Sequence, residues 1–593
     1  MQNLKVNFNR NSYLLERFQN NYFKIRGKMI PNEISVICDC DQVWLKKGKN
    51  KFCSCCFDQI YFFSKNKKSF LNPNIKIKKK LCKKIDAEVL KKVLEFFQSY
   101  KISDKYWTIL DLHTKQIDKV KDVVLDFCSV CSKREILNLQ NKIYPKYAKR
   151  ALQNFSQKLS QKETQFDLEV FKKKYLAKSS PYSLLFATFC GSGLENDFLK
   201  DSYLSTLLAV LPAKSQQDSM MLCGGHDKDE KIAAIKAVME FVERYALRNL
   251  SLNSPIFISY KDEKDLHFAS MGDFKKQFKK ELVDKKFEND LEKYTTIAID
   301  VTAEKAVLIP LQTIFNSEKF LTANRLDLNK CAISSTSNGF AAHSNFEKAA
   351  EKSVLELVER DAFIRWWSKP ENCIVLKVAK KLQKEMDLIV NFIKDNLNVE
   401  TYIKFLLLSS PLNVPVVLAY LSSSQKDGYP AIIVGASADF DLESAKTKAF
   451  SELKIGILNF IARFQKDPKW LEKGIDLESF KKFDIPEDHF YFYQHPEVLP
   501  HLKFLKVILN SKSQENVKCD GPKNFDELKV KVKKQGFNWY LVDTTPKVFE
   551  KSGVFVVRSF IPQLYPLYFG AIWPFDMKCS KLSVASKFPH CFP

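Results

Sequence analysis

The segment AAEKSVLELVERDAF at Ala349–Phe363 repeats an earlier segment of the chain, AAIKAVMEFVERYAL at Ala233–Leu247. Nine of the fifteen positions are identical, and the two copies lie 116 residues apart. Each copy is interpreted as a helix. A weaker third copy, AKTKAFSE, follows at 445–452, where Lys448 and Glu452 occupy the places of a lysine and a glutamate in the first two copies.

The first two copies contain the motif ExxER, which places two glutamates and an arginine on one helix face. These residues are Glu240, Glu243 and Arg244 in the first copy and Glu356, Glu359 and Arg360 in the second. A single ExxER is usually a surface ion pair of little energetic value. Two copies with apolar flanks favour another reading, because buried carboxylates need partners. Four carboxylates from two helices are a natural oxygen cage for Mg²⁺, with the arginines facing phosphate oxygens.

A turn of small residues precedes the second helix. Ser335, Asn338, Gly339 and Ala341 follow the pattern SxxNGxA. Such a turn exposes backbone N–H groups and hydroxyls, and it can lie close to a nucleotide.

Taken together, these motifs resemble those of the YcaO family. SxxNGxA and the second ExxER are similar to its central signature, the first ExxER to its N-terminal signature, and the region around Glu452 to its third helix. The run VFVVRSFIPQLYPLYFG at 554–570 is similar to a late strand and Pro turn of the family. The resemblance covers about residues 180–593. It implies a mixed α/β fold, with helices and sheets around a site for ATP and Mg²⁺ that lacks a Walker loop.

The resemblance also implies roles for individual residues. The expected Mg²⁺ ligands are Glu240, Glu243, Glu356 and Glu359, the expected nucleotide contacts are Ser335, Asn338, Arg244 and Glu452, and Arg360 is expected at the phosphates. The chain departs from the family at Lys236, where a serine is usual, and at Gly225–Asp227, where Gly-Lys-Gly is usual. The usual glutamine after Glu452 is not found either.

Members of the family use ATP to activate a backbone amide. In cyclodehydratases, a Cys, Ser or Thr of a ribosomal precursor peptide becomes a thiazoline or oxazoline, as in some bacteriocins. The C-terminal FPHCFP resembles the Pro-rich tail of such members, with Cys591 where a third proline is usual. Because proline stiffens a tail, Pro593 is predicted to hold the terminal carboxylate or His590 near the substrate. Thioamidation and a catalytically silent peptide-binding scaffold remain alternatives.

Cysteines cluster near the N-terminus, where eight of the fifteen precede residue 135. Two CxxC pairs, Cys53/Cys56 and Cys128/Cys131, predict a structural Zn²⁺ site. Their context resembles the zinc knuckle of the E1-like domain often fused to azoline-forming YcaO proteins, in a truncated form. A separate leader-binding or E1-like partner protein is then expected, together with a flavin dehydrogenase.

The predicted organisation is a small zinc-binding region at 1–150, a linker helix at 151–179 and a YcaO catalytic domain at 180–593. No apolar run long enough for a membrane span is found, and no signal peptide, so a cytoplasmic protein is expected. The net charge of +25 comes mainly from dispersed lysine, which argues against nucleic-acid binding as the function. A homodimer is one assembly that the sequence allows.

Overall fold

The computed structural model describes a defined set of residues. Before residue 140 these are the backbones of eight strands; after it they are 144–161, 166–175, 186–192, 203–210, 220–248, 256–258, 294–314, 337–370, 373–425, 428–471, 474–483, 486–546, 549, 552–568 and 588–592.

The N-terminal strands form an antiparallel sheet in which chain neighbours pair in order. They are β1 Asn3–Phe8, β2 Asn11–Gln19, β3 Tyr22–Arg26, β4 Ile34–Cys38, β5 Gln42–Lys47, β6 Tyr106–Asp111 and β7 Ile117–Lys121. The predicted zinc ligands Cys53, Cys56, Cys128 and Cys131 lie outside the described residues. Zinc binding therefore stays a prediction.

The rest of the chain mixes strands and helices, as predicted. The strands are β8 Ile136–Asn138, β9 Phe186–Ser192, β10 Tyr203–Val210, β11 Met220–Asp227, β12 Ile256–Ile258, β13 Tyr294–Asp300, β14 Lys305–Pro310, β15 Phe340–His343, β16 Cys373–Leu376, β17 Thr401–Leu408, β18 Val416–Ser423, β19 Ile433–Ala438, β20 Tyr540–Asp543 and β21 Phe555–Phe560. The helices are α1 Tyr144–Leu159, α2 Leu168–Tyr175, α3 Glu230–Arg248, α4 Phe346–Ser368, α5 Lys380–Leu397, α6 Leu442–Lys466, α7 Pro486–Phe492, α8 Phe504–Asn510 and α9 Phe525–Lys534.

These strands form further sheets. One has the order β11-β10-β9, one has the order β15-β21-β20-β13-β12-β8 with β14 paired to β13, and one has the order β16-β17-β18-β19. Pairing is antiparallel except between β8 and β12. In the described part of the chain, no helix is long and apolar enough to cross a membrane.

The predicted linker region contains two helices, α1 and α2, that pack against the larger part of the protein. In α1, the Tyr144 hydroxyl donates to the Ala306 carbonyl at 3.0 Å, and the Phe155 ring meets the Phe346 ring edge-on with centroids 6.0 Å apart. In α2, Phe171 stacks on Phe549 with centroids 5.7 Å apart. Both helices therefore help to build the core next to α3 and α4, although their segment reads as a charged linker.

Three strand–helix units meet at the centre of the protein. Unit 1 is β11 with α3, unit 2 is β15 with α4 and unit 3 is β19 with α6; each strand lies at the edge of its own sheet. Each helix packs on its own strand and also on the strand of another unit: α3 on β15, α4 on β19 and α6 on β11. The contacts run cyclically around a common axis, so equivalent positions of the three helices point toward one another.

Close approach of strand to helix requires glycine in unit 1. A Cβ atom on Gly225 would lie 2.0 Å from the Ala233 carbonyl oxygen and 2.6 Å from the Ala237 backbone nitrogen. Both are backbone atoms and cannot swing aside. A Cβ atom on the neighbouring Gly224 would meet nothing within 4 Å.

Gly225→Ala is predicted to destabilise the protein, because α3 must move away from β11. Overpacking of this kind costs about 1–3 kcal/mol, which lowers the thermal unfolding midpoint by several degrees. Gly224→Ala is the matched control and should leave the midpoint within about 1 °C of the wild type. Equal midpoints for the two variants, measured by circular dichroism, would contradict the close packing of unit 1.

Candidate functional site

Five glutamates from the three units meet around the common axis. They are Glu240 and Glu243 from α3, Glu356 and Glu359 from α4, and Glu452 from α6. Their charges interact from unit to unit: Glu356 raises the pKa of Glu243, Glu452 raises that of Glu359, and Glu240 raises that of Glu452. We call this set the glutamate ring. The two ExxER helices and the third copy are therefore brought together, as the sequence predicts.

The ring lies in a poorly solvated environment. The α4 neighbours Val354, Leu355, Leu357 and Val358 are all buried. Burial is accordingly the largest cause of the raised pKa values of Glu243, Glu356 and Glu359, and it brings the pKa of Glu359 to about 7. Glu452 is open to solvent yet surrounded by protein on its other sides, and its pKa is raised as well. A set of carboxylates that repel one another in this way favours a bound cation.

Backbone N–H groups and an arginine hold the first glutamate of units 1 and 2. Gly224 N–H donates to Glu240 Oε2 at 2.6 Å, and Arg244 Nη2 lies 2.6 Å from Glu240 Oε1. In unit 2, Gly339 N–H donates to Glu356 Oε2 at 2.9 Å. Each strand therefore orients the glutamate of its own helix through the backbone.

Arg360 joins the two glutamates of α4. Its Nη1 lies 3.1 Å from Glu359 Oε1 and its Nη2 lies 3.5 Å from Glu356 Oε1. Glu359 also accepts from the Ala438 N–H of β19 at 3.2 Å, which ties α4 to unit 3. The side chains of Arg360 and Glu359 are only 18% and 13% exposed, so this pair is screened less by water than a surface pair.

The structure describes the SxxNGxA segment from residue 337 onward, and a turn is present there. Gly339 has a φ of +77°, a left-handed conformation that favours glycine. Asn338 is buried, and its amide donates to the Leu567 carbonyl at 2.8 Å. This side chain therefore fastens the loop after β21; its contact with a nucleotide stays a prediction. Ser335 lies outside the described residues.

Unit 3 differs from the other two at the level of the second glutamate. Ile455 and Gly456 stand where α3 and α4 have glutamate and arginine. Here α6 meets β11 through another contact, a 2.6 Å hydrogen bond between His226 Nδ1 and the Ser451 hydroxyl. Burial lowers the pKa of His226 to about 4, so the imidazole of His226 is neutral at physiological pH. The site is therefore rich in carboxylates on two sides and nearly free of them on the third.

Arg558 is a further residue near the site; it lies in the run at 554–570 that is similar to a late strand of the family, but it was not predicted as a site residue. It lies on β21, which pairs with β15, and its guanidinium packs 4.7 Å over the Phe340 ring. Burial lowers its pKa to about 9, and the negative charge of Glu356 opposes that shift. The run at 554–570 does not by itself place this arginine at the site, because its proximity to α4 arises from the pairing of β21 with β15.

The C-terminal segment 588–592 is buried beside the ring. His590 Nε2 donates to the Tyr568 carbonyl at 2.5 Å, and His489 Nδ1 donates to the His590 carbonyl at 2.8 Å. The two imidazoles stack with centroids 4.6 Å apart. Phe592 lies against Arg360, with the guanidinium carbon 4.2 Å from the ring centroid. The predicted catalytic residue Pro593 lies outside the described residues.

The donor atoms of the ring suit a hard cation, since all of them are carboxylate oxygens. Among the described residues, however, no three His, Cys, Asp or Glu side chains are already arranged as a metal-binding group. Arginines and backbone N–H groups occupy several of the carboxylate oxygens instead. The residues fit Mg²⁺ bound through few protein carboxylates, with other oxygens supplied by a ligand.

A comparison with protein families assigns the chain that contains this site to one family. The model of the YcaO cyclodehydratase family, described as ATP- and Mg²⁺-binding, matches residues 224–565. This chain belongs to the YcaO family. The match includes all five glutamates of the ring, together with Arg244, Arg360 and Arg558.

One solved structure agrees with this chain in fold, and two others match it with lower TM-scores. A heterocyclase in complex with substrate and cofactor is 14% identical, with a TM-score of 0.54 over 94% of this chain and 77% of that chain. YcaO from Methanopyrus kandleri, bound with AMPPCP and Mg²⁺, is 17% identical, with a TM-score of 0.43 over 70% of this chain and 90% of that chain. The E. coli microcin synthetase McbBCD complex is 14% identical, with a TM-score of 0.42 over 64% and 88% of the respective chains. No curated protein matches the sequence.

The stacked histidines predict an acid-sensitive YcaO fold. Burial lowers the pKa of His489 and of His590 below the ordinary 6.5, so the native protein keeps both neutral. The unfolded chain binds more protons below about pH 6.5, and stability is therefore lost as the pH falls through that value. The loss is at most about 1.4 kcal/mol per pH unit for each histidine.

His489→Gln should accordingly show a smaller decrease of the thermal unfolding midpoint between about pH 7 and pH 5 than the wild type. The measurement is a pH series of calorimetric scans on both proteins. Parallel decreases would contradict the assignment of acid sensitivity to this pair.

Proposed function

We propose that this chain is an ATP- and Mg²⁺-dependent peptide cyclodehydratase. It would act on the backbone amide before a Cys, Ser or Thr of a ribosomally made precursor peptide and produce a thiazoline or an oxazoline. The observation that supports this proposal most strongly is the glutamate ring, which two ExxER helices and a third helix build in a chain of the YcaO family.

The electrostatics of the ring support ATP and Mg²⁺ as its ligands. Burial raises the pKa values of Glu243 and Glu356, the negative charge of Glu356 raises that of Glu243 further, and a divalent cation near such carboxylates would remove their repulsion. Mg²⁺ commonly binds through one or two protein carboxylates plus the phosphates of a nucleotide. Bound in this way, Mg²⁺–ATP would supply a phosphoryl group to the amide oxygen, which would then leave the peptide as phosphate while ADP is released.

The arginines of the site hold negative charge in place. Arg360 is fixed between Glu356, Glu359 and the Phe592 ring, so its orientation is set before any ligand arrives. Arg244 is more exposed and remains paired with Glu240. We assign Arg360 to the phosphoryl group, where a fixed guanidinium stabilises developing charge, and Arg244 to the nucleotide, together with Ser335, Asn338 and Glu452.

The tail favours azoline formation over thioamidation. The Pro589 carbonyl accepts a hydrogen bond from the Tyr493 hydroxyl, and Phe592 contacts Arg360, so the segment 588–592 packs against the site. Pro593 is proposed as the catalytic tail residue on this basis. The proposed partners are the precursor peptide, a separate leader-binding or E1-like protein and a flavin dehydrogenase, all in the cytoplasm.

Glu356→Gln and Glu359→Gln are each predicted to reduce ATP-dependent water loss from a Cys-rich precursor peptide at least about 100-fold. Each change removes a charged ligand while keeping the shape of the side chain. The measurement is mass spectrometry of the peptide after incubation with ATP, Mg²⁺ and the leader-binding partner. Glu443→Gln, on the exposed first turn of α6, is the control and should retain activity.

Three results would distinguish the alternatives. Full activity of both ring variants would overturn the metal-site assignment. Replacement of the amide oxygen by sulfur, when a sulfur donor is supplied, would favour thioamidation. ATP-independent peptide binding with no change in peptide mass would favour the scaffold.

The CxxC pairs support the proposal of a structural zinc site in a truncated E1-like region. The purified protein is then predicted to contain about one zinc per chain, as four thiolates from two CxxC pairs complete a tetrahedral site. Elemental analysis of the wild type and of the Cys53→Ser/Cys128→Ser variant tests this prediction. A zinc-free wild type would remove the proposed site.

A further inference from the structure

Three lysines occupy equivalent positions in the three strand–helix units. Lys236, Lys352 and Lys448 each precede the first glutamate of their helix by four residues, which is one helical turn. Each also lies nine residues after a residue at the end of its edge strand: Asp227 and His343 are the last residues of β11 and β15, and Asp439 directly follows β19. We call these three lysines the lysine cluster.

Two members of the cluster are neutralised by the residue at the strand end. Lys236 Nζ lies 2.7 Å from Asp227 Oδ2 and also donates to the His226 carbonyl at 2.9 Å. Lys448 forms the equivalent ion pair with Asp439. The same design, an aspartate at the strand end and a lysine nine residues later, therefore operates in units 1 and 3.

Unit 2 lacks this aspartate–lysine ion pair, because His343 occupies the position of the aspartate. His343 Nδ1 accepts a hydrogen bond from the Asn345 N–H at 3.0 Å, so the proton of the neutral ring lies on Nε2. The neutral imidazole of His343 cannot neutralise a neighbouring ammonium group. Within the described part of the chain, Lys352 Nζ has neither an ion pair nor a hydrogen bond.

The lysine cluster borders the glutamate ring. Desolvation by the surrounding protein lowers the pKa of Lys352, and the positive charges of Lys448 and Lys236 lower it further. Lys352 in turn acts on Glu243, and Lys236 acts on Glu452. Three ammonium groups with two strand-end aspartates leave one positive charge in excess, directly beside carboxylates that favour a cation. A ligand that complements both the lysine cluster and the glutamate ring must carry negatively charged oxygens for the lysines and must bind a metal ion held by the glutamates.

We propose that the lysine cluster binds the phosphate chain of a nucleoside triphosphate, with Lys352 as the residue that contacts it. This inference rests on the proposed function, because the same phosphates would complete the metal coordination in the ring. A lysine ammonium binds phosphate as a point charge and needs no fixed geometry. The cluster also accounts for a departure of this chain from its family: Lys236 replaces the usual serine as a member of a basic group.

The test measures binding of Mg²⁺–ATP to the full-length protein by titration calorimetry. Lys352→Met should weaken binding at least about 10-fold, and Lys352→Arg should restore most of it. Lys348→Met is the matched control, because it removes a lysine one turn earlier on α4 that pairs with Glu351 outside the cluster. Thermal unfolding of each variant confirms that it is folded.

A second pair of variants tests the pattern of units 1 and 3, in which an aspartate nine residues before the lysine neutralises it. His343→Asp would give Lys352 the neutralising partner that the other lysines have, and it should weaken Mg²⁺–ATP binding about as much as Lys352→Met. His343→Asn stays neutral and should bind within about twofold of the wild type. Inorganic tripolyphosphate should compete with ATP and show the same dependence on Lys352, whereas adenosine should not compete.

The outcomes separate the two levels of the proposal. No binding of Mg²⁺–ATP to the wild type would overturn the proposed function itself. Wild-type binding that Lys352→Met and His343→Asp leave unchanged would overturn only the lysine assignment. Competition by adenosine, but not by tripolyphosphate, would also overturn it, because recognition would then reside in the base and sugar.

Discussion

Mutual repulsion of carboxylates on apolar helices is the constraint on which the rest of the structure depends. Two ExxER helices and a third helix bring five glutamates together, and burial makes their charged forms costly. The protein offsets that cost with Arg244, Arg360 and backbone N–H groups of Gly224, Gly339 and Ala438, which lie in or directly beside the edge strands. Because residues of the edge strands supply those N–H groups, the positions of the three sheets and of the site are linked.

The helix period made the centre of this site predictable. Glutamates and arginine at i, i+3 and i+4 lie on one face whatever the tertiary fold, and repetition in the sequence indicated that the two faces meet. The third copy predicted that a third helix contributes to the site, because Lys448 and Glu452 keep the spacing of the other copies. Residues that are close in sequence and repeated could thus be assigned before the fold was known.

Residues that reach the site through tertiary pairing could not be predicted in this way. Arg558 comes near Glu356 because β21 pairs with β15, an arrangement with no local sequence signal. The helix α1 reads as a charged linker, yet Tyr144 and Phe155 make it part of the core. The prolines of the tail indicated stiffness, but the stacking of His489 on His590 depends on a segment about a hundred residues away.

The departure of unit 3 from the repeat has a consequence for the orientation of a ligand. A ring of three identical units would offer a bound molecule three equivalent orientations, and only one of them could place a reacting group correctly. Ile455 and Gly456 remove the second glutamate and the arginine from one side, and the Cβ position of Gly456 is crowded by Ile433 at 2.8 Å. The loss of symmetry thus makes the three possible orientations of a bound molecule inequivalent, and a fold assembled from repeats acquires one side that differs from the other two.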